Sequence, residues 1–260
     1  KHVNSKPSVS GLPLISKIGL GIDLLMLLKM AEKTRILTVS KSMVEEFSYL
    51  NPHIKFLTIT PGNGINLNAF SSELPKGFDY QAVFFARLVP EKGLFDLVEI
   101  WKWVTKKIPN AKLAVCGITE KPELVKKFLD EVNRCKLNNN IKFLGQQNKA
   151  ELLQIVSNSY LTVYPSCGDA FSIAALESLA CGTPVVAYNI PAMRHTFGNC
   201  KALFRCPIKD NASIAKKVIF LLEHVNLRTK LSKEAKEFAS GFDWDKVIKS
   251  EKEAYLKVVE

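Results

Sequence analysis

The feature that most constrains this chain is an alternation. Short apolar, β-branched runs recur between segments of helix length: RILTVS (35–40), IKFLTIT (54–60), QAVFFA (81–86), KLAVCG (112–117), IKFLG (141–145), LTVYP (161–165) and PVVAY (184–188). Runs this apolar are expected as strands buried on both faces, as in a parallel sheet covered by helices. Between them, residues 93–108 place Leu94, Leu97, Val98, Trp101, Val104 and Ile108 on one face of a helix. Residues 121–136 and 149–157 read as shorter helices, and a last helix follows FDW over 244–258. Strand–helix alternation of this kind predicts an α/β fold with a Rossmann-like, doubly wound parallel sheet.

The alternation is interrupted once, at PGNGIN (61–66), where two glycines and a proline suggest a linker or domain boundary. Only two strands and about two helices precede it, too few for a sheet domain of their own. A complete α/β unit follows, ending near residue 240. There is no internal repeat and no low-complexity tract.

Composition narrows the class of protein. Of the 260 residues 47% are hydrophobic and 23% charged, as in an ordinary globular protein large enough to bury a core. The net charge of +11 fits either a solvated lysine surface or an anionic ligand or membrane surface. No basic stripe interleaves with aromatic residues, so no nucleic-acid partner is expected. The six cysteines form no C-x-x-C pair and show no metal-ligand spacing, so reduced, mostly buried thiols of a cytoplasmic protein are expected. His2, His53, His195 and His224 likewise lack ligand or triad spacing. The most apolar stretch, LPLISKIGLGIDLLMLLKM (12–30), is interrupted by Lys17, Asp23 and Lys29. It reads as a core helix, or as a helix lying at a membrane surface, rather than a span or a signal peptide.

In open α/β sheets, ligands meet the carboxyl ends of the strands, where helix N-termini present N–H groups. Three segments there carry chemistry. In FFARLVPEKG (84–93), Arg87 and Lys92 bring two cations to one helix start, an arrangement suited to a diphosphate. The alternative is an Arg87–Glu91 pair and a solvated Lys92. In SCGDAFSIAALESLACGTPVV (166–186), Asp169 stands in a loop and Glu177 amid small apolar residues of the following helix. Glu177 should be partly buried and needs donors, either sugar or ribose hydroxyls or an ion-pair partner. Asp169 is a candidate helix cap, but Ser172 caps equally well and leaves it free for a ligand. In FLGQQNKAELL (143–153), backbone groups around Leu144, Gly145 and Gln146 could meet a flat heterocyclic base. No G-x-x-x-x-G-K-[ST], G-x-G-x-x-G or G-x-S-x-G occurs, which argues against a nucleoside triphosphatase, a typical NAD enzyme and an α/β-hydrolase.

Taken together, VSKSMVEEF (39–47), PGNGIN, ARLVPEKG, IKFLGQQNKAEL, DAFSIAALESLACGTPVV and the terminal FDW resemble the retaining glycosyltransferases of family 4, or group 1. The resemblance covers roughly residues 35–258 and implies the C-terminal half of a GT-B fold plus a remnant of its N-terminal half. Residues 1–62 are then the last part of an acceptor-side domain that opens here on Lys1 rather than Met. Residues 63–240 are the donor-binding domain, and 241–260 a helix crossing back. The implied activity is transfer of a sugar from a nucleotide-diphosphate sugar to an acceptor hydroxyl, without a metal or other cofactor. The implied acceptor is a glycan or lipid, with peripheral membrane contact at the inner face. By the resemblance Arg87 and Lys92 bind the diphosphate, Asp169 the sugar and Glu177 the ribose, with Leu144, Gly145 and Gln146 at the base. The family's E-G-F-G is DAFS here: Asp169 is one methylene shorter, and Ala170 and Ser172, flanking Phe171, replace glycines beside the donor phosphate. These departures motivate the alternative of a non-catalytic, nucleotide-sugar-binding relative or partner subunit.

Overall fold

The computed structural model describes Lys29 and residues 35–48, 54–70 and 79–259; the apolar stretch 12–30 lies outside the described residues except for Lys29. Its first part is a β-α-β unit. Strands β1 (Arg35–Thr38) and β2 (Lys55–Thr58) pair in parallel, Arg35 opposite Lys55, with helix α1 (Lys41–Ser48) between them in sequence.

The main sheet has six parallel strands: β3 (Ala82–Phe85), β4 (Leu113–Cys116), β5 (Ile141–Gly145), β6 (Thr162–Tyr164), β7 (Val185–Tyr188) and β8 (Leu203–Cys206). Their order is β5-β4-β3-β6-β7-β8. The chain winds outward from β3 in one direction, then returns to lay β6 on the other side of β3. That reversal is a topological switch point, and it opens a crevice between the carboxyl ends of β3 and β6.

The intervening helices are α2 (Asp96–Lys107), α3 (Pro122–Arg134), α4 (Lys149–Ser157), α5 (Ile173–Ala180), α6 (Pro191–His195), α7 (Asn211–Glu223) and α8 (Val225–Ala239). Alternate residues of the strands feed two cores. Ala82 and Phe84 of β3 join Leu113 and Val115 of β4 in the larger one, while Val83, Phe85, Ala114 and Cys116 face Leu153 and Val156 of α4 in the smaller. This period-two partition is why the strand runs carry almost no polar residue. Helix α2 buries Leu97, Val98, Ile100, Trp101 and Val104, and the Trp101 indole N–H donates to the Ala111 carbonyl at 3.1 Å.

One expectation is corrected, and one strand joins those read from the sequence. The helix read from residue 93 starts at Asp96, because Pro90–Lys92 forms a 3-10 turn that Gly93 ends in the left-handed region at φ 81°. A side chain at Gly93 would also lie 2.2 Å from the Pro165 carbonyl oxygen, so this position admits the β6 loop only as glycine. Strand β8 was not anticipated; LFRC is an edge strand with Arg205 exposed, and half-exposed edges lose the continuous apolar signal. The PGNGIN segment, read from the sequence as a linker or domain boundary, is packed: Ile65 is buried, its N–H donates to the Phe242 carbonyl at 2.9 Å, and a Cβ at Gly62 would sit 1.9 Å from the Val39 carbonyl oxygen.

The last helix, α9 (Trp244–Val259), returns to the first unit. Ser250 donates to the Thr60 carbonyl at 2.8 Å, and Arg35 donates to the Lys257 carbonyl at 3.1 Å. Among the described residues no helix is long and apolar enough to cross a membrane.

Candidate functional site

The loops leaving β3 and β6 meet at the switch point. The Cys167 N–H donates to the Glu91 carbonyl at 2.8 Å, and Lys92 Nζ donates to the Gly168 carbonyl at 3.0 Å. Lys92 Nζ also stands 2.5 Å from Asp169 Oδ1, the two side chains being only 12% and 15% exposed. Lys92 is therefore neither solvated nor free. Its partner is the acid on the facing loop, and a part-buried pair of this kind holds the loops together because each charge needs the other.

Asp169 is satisfied on both oxygens. Oδ2 accepts from the Tyr164 hydroxyl at 2.8 Å and from Ser166 Oγ at 2.9 Å. Burial, and then the Asp169 charge, push the Tyr164 phenol well above its ordinary value, so it stays protonated and donates.

Neither Asp169 nor Ser172 caps α5, contrary to the sequence expectation. The helix has no side-chain cap, and Ser172 precedes it in the left-handed region at φ 69°, ψ 62°. Ser172 Oγ is buried without a hydrogen-bond partner, although the Tyr164 hydroxyl lies within its electrostatic reach. A serine here carries a conformation normally left to glycine, as the glycine of the resembling pattern would suggest. Ala170, where the other glycine of that pattern falls, is not among the positive-φ residues; it is exposed, and its carbonyl accepts from Ser42 Oγ at 2.6 Å. The Phe171 ring is a core element, edge-on to Phe197 and Phe242 at 6.4 and 6.1 Å, which leaves only its backbone at the loop.

Glu177 is partly buried, as expected, with 15% of its side chain exposed. Of the donors the sequence left open for it, hydroxyls or an ion-pair partner, the structure shows the second: Lys149, at the start of α4, forms an ion pair with Glu177 Oε1. The pair joins α5 to the loop after β5, where Gly145 ends the strand at φ 69° and the Leu144 carbonyl accepts from Gln147 Nε2 at 2.7 Å. Gln146 is exposed beside them. Arg87 is exposed just past β3; its carbonyl accepts from the Val89 N–H at 3.0 Å, while its side chain makes no hydrogen bond or ion pair among the described residues, Glu91 included.

Sequence reasoning missed Tyr164, Ser166 and Lys149. Tyr164 and Ser166 flank a proline at a strand end, where polar residues are common, and Lys149 resembles any helix-start lysine. Away from the switch point, Glu45 of α1 binds Arg194 Nη2 at 2.8 Å and His195 Nε2 at 2.6 Å. The hydrogen bond from His195, outweighing burial, and the Arg194 charge hold the Glu45 carboxyl below its ordinary value. A possible metal-ligand set, Glu99, Glu131 and Cys135, lies on α2 and α3, but Lys102 and Arg134 already pair its two acids. All six cysteines are unpaired, and burial pushes the Cys116 and Cys181 thiols up to about 12.

Fold and site together define a class: a doubly wound α/β unit of GT-B type with a charged, loop-built site at its switch point. More particularly, the chain belongs to the family described as glycosyl transferases group 1, which matches residues 68–238. Over 229 residues it is 25% identical to a glycogen synthase of Mycobacterium tuberculosis, covering 86% of this chain and 54% of that protein. It is 26% identical over 192 residues to a phosphatidyl-myo-inositol mannosyltransferase of Mycobacterium leprae, covering 71% of this chain and 50% of that one. The chain thus spans about half the length of these curated relatives. Among solved structures it shares the fold of a sucrose-phosphate synthase from Thermosynechococcus elongatus at TM-score 0.78 and 21% identity, covering 92% of this chain and 62% of that one. It shares the fold of Anabaena Alr3699/HepE, solved with UDP and glucose, at TM-score 0.76 and 18% identity, covering 92% and 67%.

Proposed function

We propose that this chain is the donor-binding part of a retaining, metal-independent glycosyltransferase that takes a nucleotide-diphosphate sugar. The observation that carries the reading is the meeting, at the switch point of a group 1 chain, of a cation-bearing loop with an uncapped helix N-terminus. A diphosphate lying against α5 receives backbone N–H groups and the positive end of the helix dipole. Arg87, exposed and unpaired among the described residues, closes on it, and Lys92 supplies a second charge. As the sugar leaves, negative charge grows on the diphosphate, and these fixed cations stabilise it. Glu177 accepts from the ribose once Lys149 moves aside, and backbone groups of Gly145 and Gln146 meet the base. On this reading residues 63–240 form the donor domain, and residues 1–62 with 241–260 belong to the acceptor-side half. The acceptor hydroxyl, of a glycan or lipid, enters from that half at a cytoplasmic membrane face.

The test is calorimetric titration of the chain with UDP, GDP and ADP. One of them should bind, and Arg87→Ala should weaken it at least tenfold while Lys142→Ala does not. A folded chain that binds none of the three sinks the reading.

A second reading, a non-catalytic relative, draws on the intramolecular ion pairs at both acids, which give Asp169 and Glu177 structural work without a ligand. Donor hydrolysis by the full-length protein separates the two. Turnover that Glu177→Ala abolishes belongs to the enzyme.

A further inference from the structure

We infer that Ser42, in the unit that precedes the main sheet, is a positioning residue for the donor loop. It holds the Ala170 carbonyl and so fixes the peptide whose N–H, on Phe171, meets an oxygen of the donor. The donor here is that of the reading above, on which the inference rests.

The link from α1 to the loop runs through buried hydroxyls. Ser42 Oγ donates to the Ala170 carbonyl at 2.6 Å, across 128 positions of sequence. Ser40 Oγ lies 2.8 Å from Ser42 Oγ and also accepts from the Ser42 N–H at 3.1 Å. Thr38 Oγ1 in turn donates to the Ser40 carbonyl at 3.1 Å and accepts from the Ser40 N–H at 3.3 Å. The two serine hydroxyls carry two protons but share one bond, so one proton must leave the pair. Were Ser42 to turn its proton to Ser40, the Ser40 proton would be stranded instead. The Ala170 carbonyl is the outside acceptor that the described residues supply. Thr38, Ser40 and Ser42 are 3%, 4% and 0% exposed, so water reaches them only if the loop departs. Holding the carbonyl is the arrangement that satisfies both protons without admitting water.

The residues on either side of this peptide are anchored in the donor domain. Asp169 is held by Lys92, Tyr164 and Ser166, and Phe171 by its ring on Phe197 and Phe242. Neither anchor sets the rotation of the peptide between Ala170 and Phe171, and its N–H makes no hydrogen bond among the described residues. A peptide group is planar and trans, so its C=O and N–H point in opposite directions. With the carbonyl pinned to Ser42, the Phe171 N–H faces away from α1, two positions before the uncapped start of α5. It thereby joins the N–H groups that a diphosphate or its sugar meets there, in a direction set before the ligand arrives. Helix α1 has a second tie to the donor domain, from Glu45 to Arg194 and His195, but that one reaches α6 and not the loop. The two ties allow the docking of α1 and the orientation of the loop to be told apart.

The experiment sets Ser42→Ala beside Glu45→Ala in this chain, each first shown to be folded by circular dichroism. The probe is whichever of UDP, GDP and ADP binds in the titration above. If Ser42 positions the peptide, Ser42→Ala weakens the nucleotide about fivefold, while Glu45→Ala, which loosens α1 without touching the loop, stays within about twofold of wild type. Equal losses in the two variants would show that the docking of α1 carries the effect, and overturn the inference. An unchanged affinity in Ser42→Ala overturns it too. Should Ser42→Ala not fold, Ser42→Cys, a weaker donor of similar size, takes its place with the same expected order. The peptide itself is read without ligand by NMR relaxation: the order parameter of the Phe171 amide should fall in Ser42→Ala from about 0.85 to below about 0.6 and hold in Glu45→Ala. A Phe171 amide as ordered as in the wild type overturns the inference whether or not a nucleotide binds. If the wild type binds none of the three nucleotides, the donor-site reading fails by itself. The anchoring of the loop by Ser42 is then decided by the relaxation measurement, and a Phe171 amide loosened by Ser42→Ala alone supports it.

Discussion

Lys92 and Asp169 stand 77 positions apart in the chain and 2.5 Å apart in space, on the loops that leave β3 and β6. Removing one partner of a part-buried pair leaves the other charge uncompensated, which costs about 3–5 kcal/mol at fully buried sites and less here. Lys92→Ala is therefore expected to lower the thermal midpoint more than Asp169→Asn, whose amide oxygen still accepts from Tyr164 and Ser166. Differential scanning calorimetry of both variants checks the order.

Lys149 and Glu177 make a lopsided pair, 55% and 15% exposed. An exposed lysine contributes at most about 1 kcal/mol to such a pair. Lys149→Ala should leave stability nearly unchanged and should not weaken the nucleoside diphosphate, since it frees Glu177 for the ribose. Glu177→Ala should weaken binding about tenfold, a loss of about 1.4 kcal/mol. Titration calorimetry of both variants decides, and tighter dependence on Lys149 than on Glu177 would refute the assignment.

Ser172 holds a left-handed backbone and a buried hydroxyl with no partner. A non-glycine residue there costs about 1–2 kcal/mol, part of which glycine returns as unfolded-state entropy. Ser172→Gly should raise the unfolding free energy by about 0.5–1 kcal/mol in urea titration. Ser172→Val should lower it, since a β-branched residue resists the left-handed region.

Glu45 ties α1 to α6 through His195 and Arg194, and its folded pKa is lowered from 4.5. A depressed carboxylate stabilises the fold above its unfolded pKa, and the contribution is lost as pH falls through the folded value. Wild type should lose this increment below about pH 4.5, and Glu45→Gln should show a flatter acid limb in pH-dependent melting, with a small amplitude because the side chain is 40% exposed.

Cys116 and Cys181 have thiols raised to about 12 by burial, so almost none is thiolate near neutrality. Mass spectrometry after alkylation of the native protein should find these two unmodified while denatured protein reacts fully. Modification of either in the native state would contradict the packing of α4 against β3 and β4.

The strand runs were legible because burial on both faces leaves an unbroken apolar signature, as in AVFF of β3 and VVAY of β7. Strand β8 was not, since Arg205 sits on an edge where one face needs no apolar residue. The start of α2 was misplaced because Gly93 reads equally as a helix opener or as the end of a 3-10 turn; only the carbonyl of Pro165 pressing on it decides.

By itself the sequence determined the layer architecture and where strands β3 to β7 end, because both follow from local periodicity and turn chemistry. It therefore put Arg87, Lys92, Asp169 and Glu177 on one edge of one sheet. Which charge meets which was decided only by tertiary structure. Strand order sets β6 beside β3, bringing Asp169 to Lys92, and helix packing sets α4 against α5, bringing Lys149 to Glu177. Pairing of charges falls steeply with distance, and the distance between loops so far apart in sequence is a property of the sheet, not of the segments it joins.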